Sequence, residues 1–335
     1  MHTPTDPADS AVSPDICVGI VMTCYNEGRY IGAAVRSVLA QTCIDHISRI
    51  VIADDGSDAD TLSVLRDIES WDRRIDILYG PGGGGVSTQR NLAIACMPEQ
   101  VNVLAILDGD DLWAPTKLER QLPVLSARPE VGLVYGGFYT FADDLSHAQL
   151  APVIDITRSA ALSSCYFLTD PPIIPSTTLM RRSDYERCGG FHAHIKVFED
   201  TDLFVRMARI CRFGFVAEPL LYKRHHAVSI TGGRQDLMAH HAYVALIAAA
   251  AEPALLDLVP KRLAERARKL GNHRFLSGDL TAARSLLRLA VRINPLNHRA
   301  WLSLLAASLA PRLSTRILST RMQAKRVSMG LSAST

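Results

Sequence analysis

Apolar and polar positions alternate in blocks along the first third of the chain. Residues 16–22 form an almost unbroken apolar run. After it, over about 27–41, apolar residues recur at Ile31, Ala34, Val35 and Val38, the spacing of a helix packed along one side. The alternation then repeats, with short apolar runs at 50–53, 75–78 and 101–107 and helical patterns at 61–70 and 87–96. Strands separated by helices predict an α/β fold, a Rossmann-like, mostly parallel sheet with helices on both faces. From Val131 to about Ile230 the pattern loses this regularity and gains aromatic residues and proline, as expected of the substrate-facing half of the same domain. Beyond Thr231 the pattern is helical. Gly278-Asp279-Leu280 opens a helix that stops at Asn294-Pro295, and a partner follows from about Asn297 to Leu309. The expected organisation is a disordered leader over 1–14, an α/β domain over 15–232 and a helical appendage over 233–335. Its hairpin, at about 278–309, is similar to a single tetratricopeptide-type repeat and too short to make a solenoid.

Composition narrows the class. With 335 residues, 48% hydrophobic and 21% charged, the chain is ordinary for a soluble globular protein. No apolar stretch is long enough to span a bilayer; the best candidate, 242–251, stops at Glu252-Pro253. The first residues are polar, acidic and proline-containing, unlike a signal peptide. Seven cysteines without a Cys-x-x-Cys pair suit reduced thiols in the cytoplasm and imply neither disulfides nor zinc. The net charge of +2 hides an asymmetry. From Lys261 onward, 15 Lys/Arg face only Glu265 and Asp279, so that segment carries about +13 and the remainder about −11.

The chemistry gathers where the apolar runs end. Asp108-Gly109-Asp110-Asp111 follows the run at 101–107 and aims hard oxygen ligands, suited to Mg²⁺ or Mn²⁺, beyond the strand tip. An isolated Asp-Gly-Asp would more often be a plain surface turn. In open α/β sheets, however, ligands sit beyond the carboxyl ends of the strands. The other strand ends there carry Thr23-Cys24-Tyr25-Asn26, Asp54-Asp55-Gly56-Ser57 and the glycines 82–85. A carboxylate such as Asp55 suits a ribose or a nucleobase, or simply caps a helix. The glycines would let amides approach a phosphate, or form a flexible loop. Arg90, in the helix that follows, suits a diphosphate or an ordinary surface position. Residues 23–28 lack Gly-x-Gly-x-x-Gly, and no Gly-Lys-Ser/Thr occurs, which argues against a dinucleotide-dependent dehydrogenase and a P-loop ATPase.

Taken in order, these blocks resemble the family 2 glycosyltransferases, which have the GT-A fold. The resemblance covers about 16–231. It rests on the Thr-Cys-Tyr-Asn-Glu opening, Ser37–Thr42, Asp54–Ser57, Gly85-Val86-Ser87 with Arg90-Asn91, and Asp108–Trp113 with Pro115. Gly189-Gly190-Phe191, Glu199-Asp200-x-Asp202-Leu203 with Arg206, and Tyr222-Lys223-Arg224-His225 complete it. Each block is weak alone; eight in order are specific. The resemblance implies a donor-binding set of Thr23, Tyr25, Glu27, Asp55, Arg90 and Asp108, with Thr23 and Asp55 at the nucleoside. It further implies metal binding by Asp110 and His225, with His226 as the fallback, and Mn²⁺ or Mg²⁺ as cofactor. Asp200 would be the general base, and Glu199 would orient the base or the acceptor.

The implied reaction is inverting transfer of a sugar from a nucleoside-diphosphate sugar, most often a UDP sugar, to a hydroxyl. The acceptor would be a glycan or a lipid-linked glycan in cell-envelope polysaccharide or glycoconjugate synthesis. Transfer is expected to be non-processive, because the chain's tryptophans, Trp71, Trp113 and Trp301, leave no place for Gln-x-x-Arg-Trp. Without the resemblance, Glu199, Asp200 and Asp202 would read as acids favoured by a helix N-terminus, and His225-His226 as a hydrogen-bonded pair. The alternatives are a catalytically inactive nucleotide-sugar-binding protein with a partner-binding helical tail, and a nucleotidyltransferase. The first has no need of an acceptor base, and the second lacks its Gly-rich basic loop at 23–28. Arg284, Arg288 and Arg292 line one helix face, and Arg312, Arg316, Arg321, Lys325 and Arg326 follow. A solvated face is the simple reading. A peripheral contact with an anionic membrane, at its cytoplasmic face, is the functional one. The tail lacks the interleaved aromatics of a nucleic-acid binder.

Overall fold

The computed structural model describes residues 12–169, 171–226 and 237–309. Most of the expected leader, and all the basic residues after 309, lie outside the described residues. Val12 already packs against the core, and the Ser13 amide donates to Ser126 Oγ at 3.0 Å. The chain divides into two compact units, Met1–Gly232 and Gly233–Thr335.

The first unit opens with β1 (Val18–Cys24), α1 (Gly28–Leu39), β2 (Ile47–Asp54), α2 (Ala59–Glu69), β3 (Ile75–Tyr79), α3 (Val86–Ala95) and β4 (Val103–Asp108). Helix α1 forms because Ile31, Ala34, Val35 and Val38 fall on one face, and all four are fully buried. Asp58 starts α2 by accepting the Thr61 amide at 2.8 Å. The strands pair in parallel in the order β3-β2-β1-β4. Register sets Thr23 opposite both Ala53 and Asp108, and Cys24 opposite Asp54. The strand-end groups therefore share one sheet edge.

The irregular stretch of sequence turns out to be structured. It contains β5 (Leu112–Trp113), α4 (Lys117–Ala127), β6 (Val131–Phe141), β7 (Gln149–Leu150), α5 (Leu162–Thr169), β8 (Leu179–Arg181), α6 (Arg182–Arg187), α7 (Glu199–Ile210) and β9 (Arg212–Arg224). These strands extend the sheet as β4-β8-β6-β9-β5, with only β6 and β9 parallel, so the complete sheet is mixed. Midway along β9 the register jumps. Gly136 faces Val216 and Gly137 faces Pro219, so Ala217 and Glu218 bulge out where proline has no amide to give. The bulge redirects the end of β9 to pair with β5, immediately after Asp108–Asp111.

The second unit, among the described residues, is helical: α8 (Leu237–Ala251), α9 (Val259–Leu276), α10 (Leu280–Ile293) and α11 (His298–Leu309). Gly278, with φ +88°, ends α9, and Asp279 starts α10 by accepting the Ala282 amide at 3.0 Å. Ala283, Leu287 and Ala290 of α10 pack with Ala300, Leu304 and Ala307 of α11 in two small clusters, one of which includes Ala267 and the other Phe275 of α9.

Candidate active site

The end of β2 builds a rigid shelf. Asp54 is fully buried and accepts the amides of Gly56 and Ser57, both at 3.1 Å, which closes the turn. Gly56, with φ +77°, permits that turn. The Asp55 carboxylate accepts the amides of Gly84 (2.9 Å) and Gly85 (2.8 Å) and the Gln89 side chain (2.7 Å). Two amides of the glycine loop, expected to approach a phosphate, are thus taken up by Asp55. Lys196 Nζ clasps the same loop through the Gly84 carbonyl at 2.7 Å.

The loop after β4 is held from several sides. The Asp108 amide donates to Ser176 Oγ (3.1 Å), and its carboxylate pairs with Arg90 at 2.6 Å. Gly109 packs so closely that a Cβ there would run into the Glu27 carboxylate and lie 2.8 Å from the Thr23 carbonyl. Asp110 pairs with His226 Nε2 at 2.8 Å. Asp111 is buried and accepts the Arg224 amide at 2.9 Å. Arg224 also donates from Nε to the Asp110 carbonyl (3.0 Å) and covers the rings of Tyr30 and Phe141.

Arg90 ties this loop to the start of α7. Its second arm pairs with Glu199 at 2.7 Å, and the residue is 2% exposed, with its guanidinium carbon 5.2 Å from the centre of the Phe191 ring. Just before Glu199, Phe198 adopts the left-handed conformation (φ +64°), which turns the chain into the helix. Asp200 follows and accepts the Thr201 amide at 2.7 Å. Two residues further, Asp202 is locked by Arg206 (2.6 Å), with His192 Nδ1 3.0 Å away, while Arg206 also donates to the Cys188 and Gly190 carbonyls.

Electrostatics separate these carboxylates. Burial opposes ionisation of Asp108, but the Arg90 and Lys223 charges outweigh it and hold its carboxyl below the usual range. Asp200 is pushed up to about 7 by burial and then by neighbouring Glu199, which the Thr201 amide and Arg90 only partly oppose. Burial likewise pushes Asp111 up to about 7. Glu27 is held well above the ordinary carboxylate range by burial, reinforced by Asp110, Asp108 and Asp111. Lys223 lies in the field of Asp111, Asp108, Asp110 and Asp200, and this raises its amine despite burial.

The structure therefore gathers Glu27, Arg90, Asp108, Asp110, Glu199 and Asp200, with Thr23 beside them in register. Tyr25 is 60% exposed at the end of β1, and Asp55 serves the glycine loop. Two expected contacts differ. Arg90, expected at a diphosphate, spends both arms on carboxylates, Asp108 nearby at the end of β4 and Glu199 in the other half of the unit. His225, expected on the metal, is exposed, with its amide on the Phe141 carbonyl (2.7 Å), whereas His226 meets Asp110. Sequence reading assigned no role to Ser176, Lys223 or Arg224. The basic pair inside Tyr222-Lys223-Arg224-His225 was the only available signal for the last two.

Among the described residues, no three His, Cys, Asp or Glu side chains form a ready metal cage. Asp110 and His226 nevertheless offer one hard oxygen and one imidazole nitrogen. That set fits Mg²⁺ or Mn²⁺, which commonly take one or two protein ligands and complete their shell with substrate phosphates.

Comparisons with known proteins agree with this geometry. The family model described as glycosyl transferase family 2 matches residues 19–189. The Escherichia coli UDP-Glc:alpha-D-GlcNAc-diphosphoundecaprenol beta-1,3-glucosyltransferase WfgD is 30% identical over 151 residues, 45% of this chain and 57% of that protein. Alignments with the curated relatives reach from 34% to 65% of their length. Among solved structures, S. aureus TarS residues 1–349 in complex with UDP-GlcNAc superposes with a TM-score of 0.60 at 15% identity, over 90% of this chain and 92% of that one. The mannosyltransferase PcManGT from Pyrobaculum calidifontis, in complex with GDP-Man and Mn²⁺, gives 0.54 at 19% identity, over 96% and 84%. The first unit has the GT-A fold, and the chain belongs to glycosyl transferase family 2.

Proposed function

We propose that this protein transfers a sugar, with inversion, from a nucleoside-diphosphate donor to a hydroxyl of a glycan or lipid-linked glycan. The observation that carries the reading is Arg90. By pairing with Asp108 and Glu199 at once, it brings two acidic runs, distant in sequence, together at the sheet edge. The donor nucleoside would lie over Thr23 and the Asp55 shelf, with its sugar toward Asp108. In a single in-line displacement the acceptor oxygen bonds to the anomeric carbon as the bond to the diphosphate breaks, and the hydroxyl proton passes to Asp200. A carboxyl raised to about 7 accepts a proton far better than an ordinary aspartate while about half of it is ionised at neutral pH. Glu199, committed to Arg90, orients. Lys223 adds a fixed positive charge facing the departing diphosphate. A divalent cation, Mn²⁺ or Mg²⁺, would be held by Asp110 with His226 and would offset the diphosphate charge.

Support for a UDP sugar comes from the donor named for WfgD and from the UDP-GlcNAc bound to TarS; support for Mn²⁺ comes from PcManGT. An acceptor on a lipid diphosphate, as named for WfgD, points to cell-envelope glycan synthesis, with one or a few sugars added per encounter. Such an acceptor would keep the enzyme at a cytoplasmic membrane face, and peripheral contact with anionic lipid belongs to the same reading. No described helix is long and apolar enough to cross a membrane.

Thermal shift with UDP, GDP, CDP and dTDP sugars, with and without Mn²⁺, tests the donor site. The matching donor at about 100 times its Kd should add about 2.7 kcal/mol. That is a rise of roughly 5–10 °C, lost in Asp110→Ala. No shift with any donor would overturn the enzymatic reading.

A further inference from the structure

The exposed surface of the α10–α11 hairpin combines two properties that a solvated surface does not need together. Trp301, Leu302 and Leu305 project from α11 with 51, 64 and 54% of their surface exposed, and Leu296, in the turn between the helices, is 90% exposed. The Trp301 indole N–H is satisfied by the Pro295 carbonyl at 2.9 Å, which leaves the ring as an apolar contact surface. On the same hairpin Arg288, Arg292 and Arg299 are exposed. The two acids in the chain from Lys261 onward are both occupied. Glu265 takes Arg268 at 2.8 Å, and Asp279 caps α10.

Charge decides what can cover this face. Residues 310–335 follow directly and carry Arg312, Arg316, Arg321, Lys325 and Arg326 with no acid, so folding them back would stack positive on positive. A second copy docking by the same face would do so too. The occupant has to be anionic and also accept an apolar stripe of tryptophan and leucine. Nucleic acid offers phosphates but no use for the leucines, whereas an anionic bilayer offers both headgroup charge and an acyl boundary. We propose that the α10–α11 face seats on an anionic lipid surface, with Trp301, Leu302 and Leu305 entering the headgroup boundary and the arginines lying on the phosphates. The choice of partner rests on the lipid-linked acceptor read above; the test reads binding alone, so either idea can fail without the other.

The full chain is floated with vesicles of phosphatidylcholine alone or mixed equally with phosphatidylglycerol, at low and high salt. Binding to the mixed vesicles only, weakened by salt, is expected. Arg288→Gln with Arg292→Gln should lower the partition coefficient roughly fivefold per arginine. Leu302→Ser with Leu305→Ser should lower it at least as much, with an unchanged melting temperature, since both side chains are already exposed. Equal binding to neutral vesicles, or none to either, overturns the proposal. Full binding by the leucine variant also overturns it and leaves the basic residues beyond 309 as the whole attraction. A leucine variant that melts lower but binds normally shows that the chain's own segment covers the face. Light scattering that finds a wild-type dimer converted to monomer by the leucine substitutions assigns the face to a second copy.

Discussion

Two acidic runs meet in this protein, Asp108–Asp111 at the end of a strand and Glu199–Asp202 at the start of a helix, and they divide their work alike. In each, one carboxylate pairs with Arg90 (Asp108, Glu199) and one is locked into the framework (Asp111 on the Arg224 amide, Asp202 on Arg206). The third pairs with neither Arg90 nor a framework arginine (Asp110 meets His226, and Asp200 accepts the Thr201 amide). The difference lies in the cations. The strand-end run has Arg90 and Lys223, which keep Asp108 ionised; Asp200 sits beside Glu199, whose charge opposes its own ionisation. Similar residues thus differ in charge: Asp108 is held ionised, and Asp200 is held partly protonated near neutral pH, as the proposed proton acceptor requires.

The strongest test of that division is Asp200→Asn. Transfer in single turnover should fall about 10²–10⁴-fold, the usual worth of a general base. Donor-induced thermal stabilisation should stay as in the wild type, since the donor platform is untouched. A fall in both together would erase the distinction between the two runs.

Next comes the link. Arg90→Met strands two carboxylates and should cost about 3–5 kcal/mol in urea unfolding. Adding Asp108→Asn and Glu199→Gln should restore much of it. If the triple variant is no more stable than the single one, Arg90 does more than neutralise these two acids. Asp202→Asn sharpens the contrast within the helix. It should lower stability by about 1–3 kcal/mol through the weakened Arg206 contact, without the kinetic loss of its neighbour.

The smallest effect is on pH dependence. With its carboxyl at about 7, Asp200 must be ionised to act, so transfer should decline as pH falls through that value. For stability the sign runs the other way. A carboxyl raised on folding disfavours the folded state once ionised, so Asp200→Asn should raise the melting temperature at about pH 8, by an amount that shrinks toward about pH 5. A gain that grew toward acid would mean that Asp200 is stabilised as the anion.

The first half of the fold was legible because each strand and helix there is a local pattern ending in a turn of recognisable chemistry. The second half was not. Strand β9 contains Glu218-Pro219, which breaks strand periodicity, and only its pairing with β6 explains the interruption as a bulge. The same irregularity hides which histidine reaches Asp110: Leu220 is skipped as well as Ala217 and Glu218, and an odd shift along β9 changes which side chains turn inward. Arg90 illustrates another limit. From sequence it is one basic residue in a helix after a glycine loop; its role comes from Glu199, 109 positions away. Pairings of that separation leave no local trace.

Gly109 carries a consequence for how this chain can vary. Its φ is not in the left-handed region, so backbone preference does not demand glycine; the Thr23 carbonyl and Glu27 carboxylate do, by occupying the space of any side chain. A saturation library at this codon should therefore leave a single survivor, although the residue bears no functional group. Crowding alone holds the position as glycine, and any change there must first move the strand behind it.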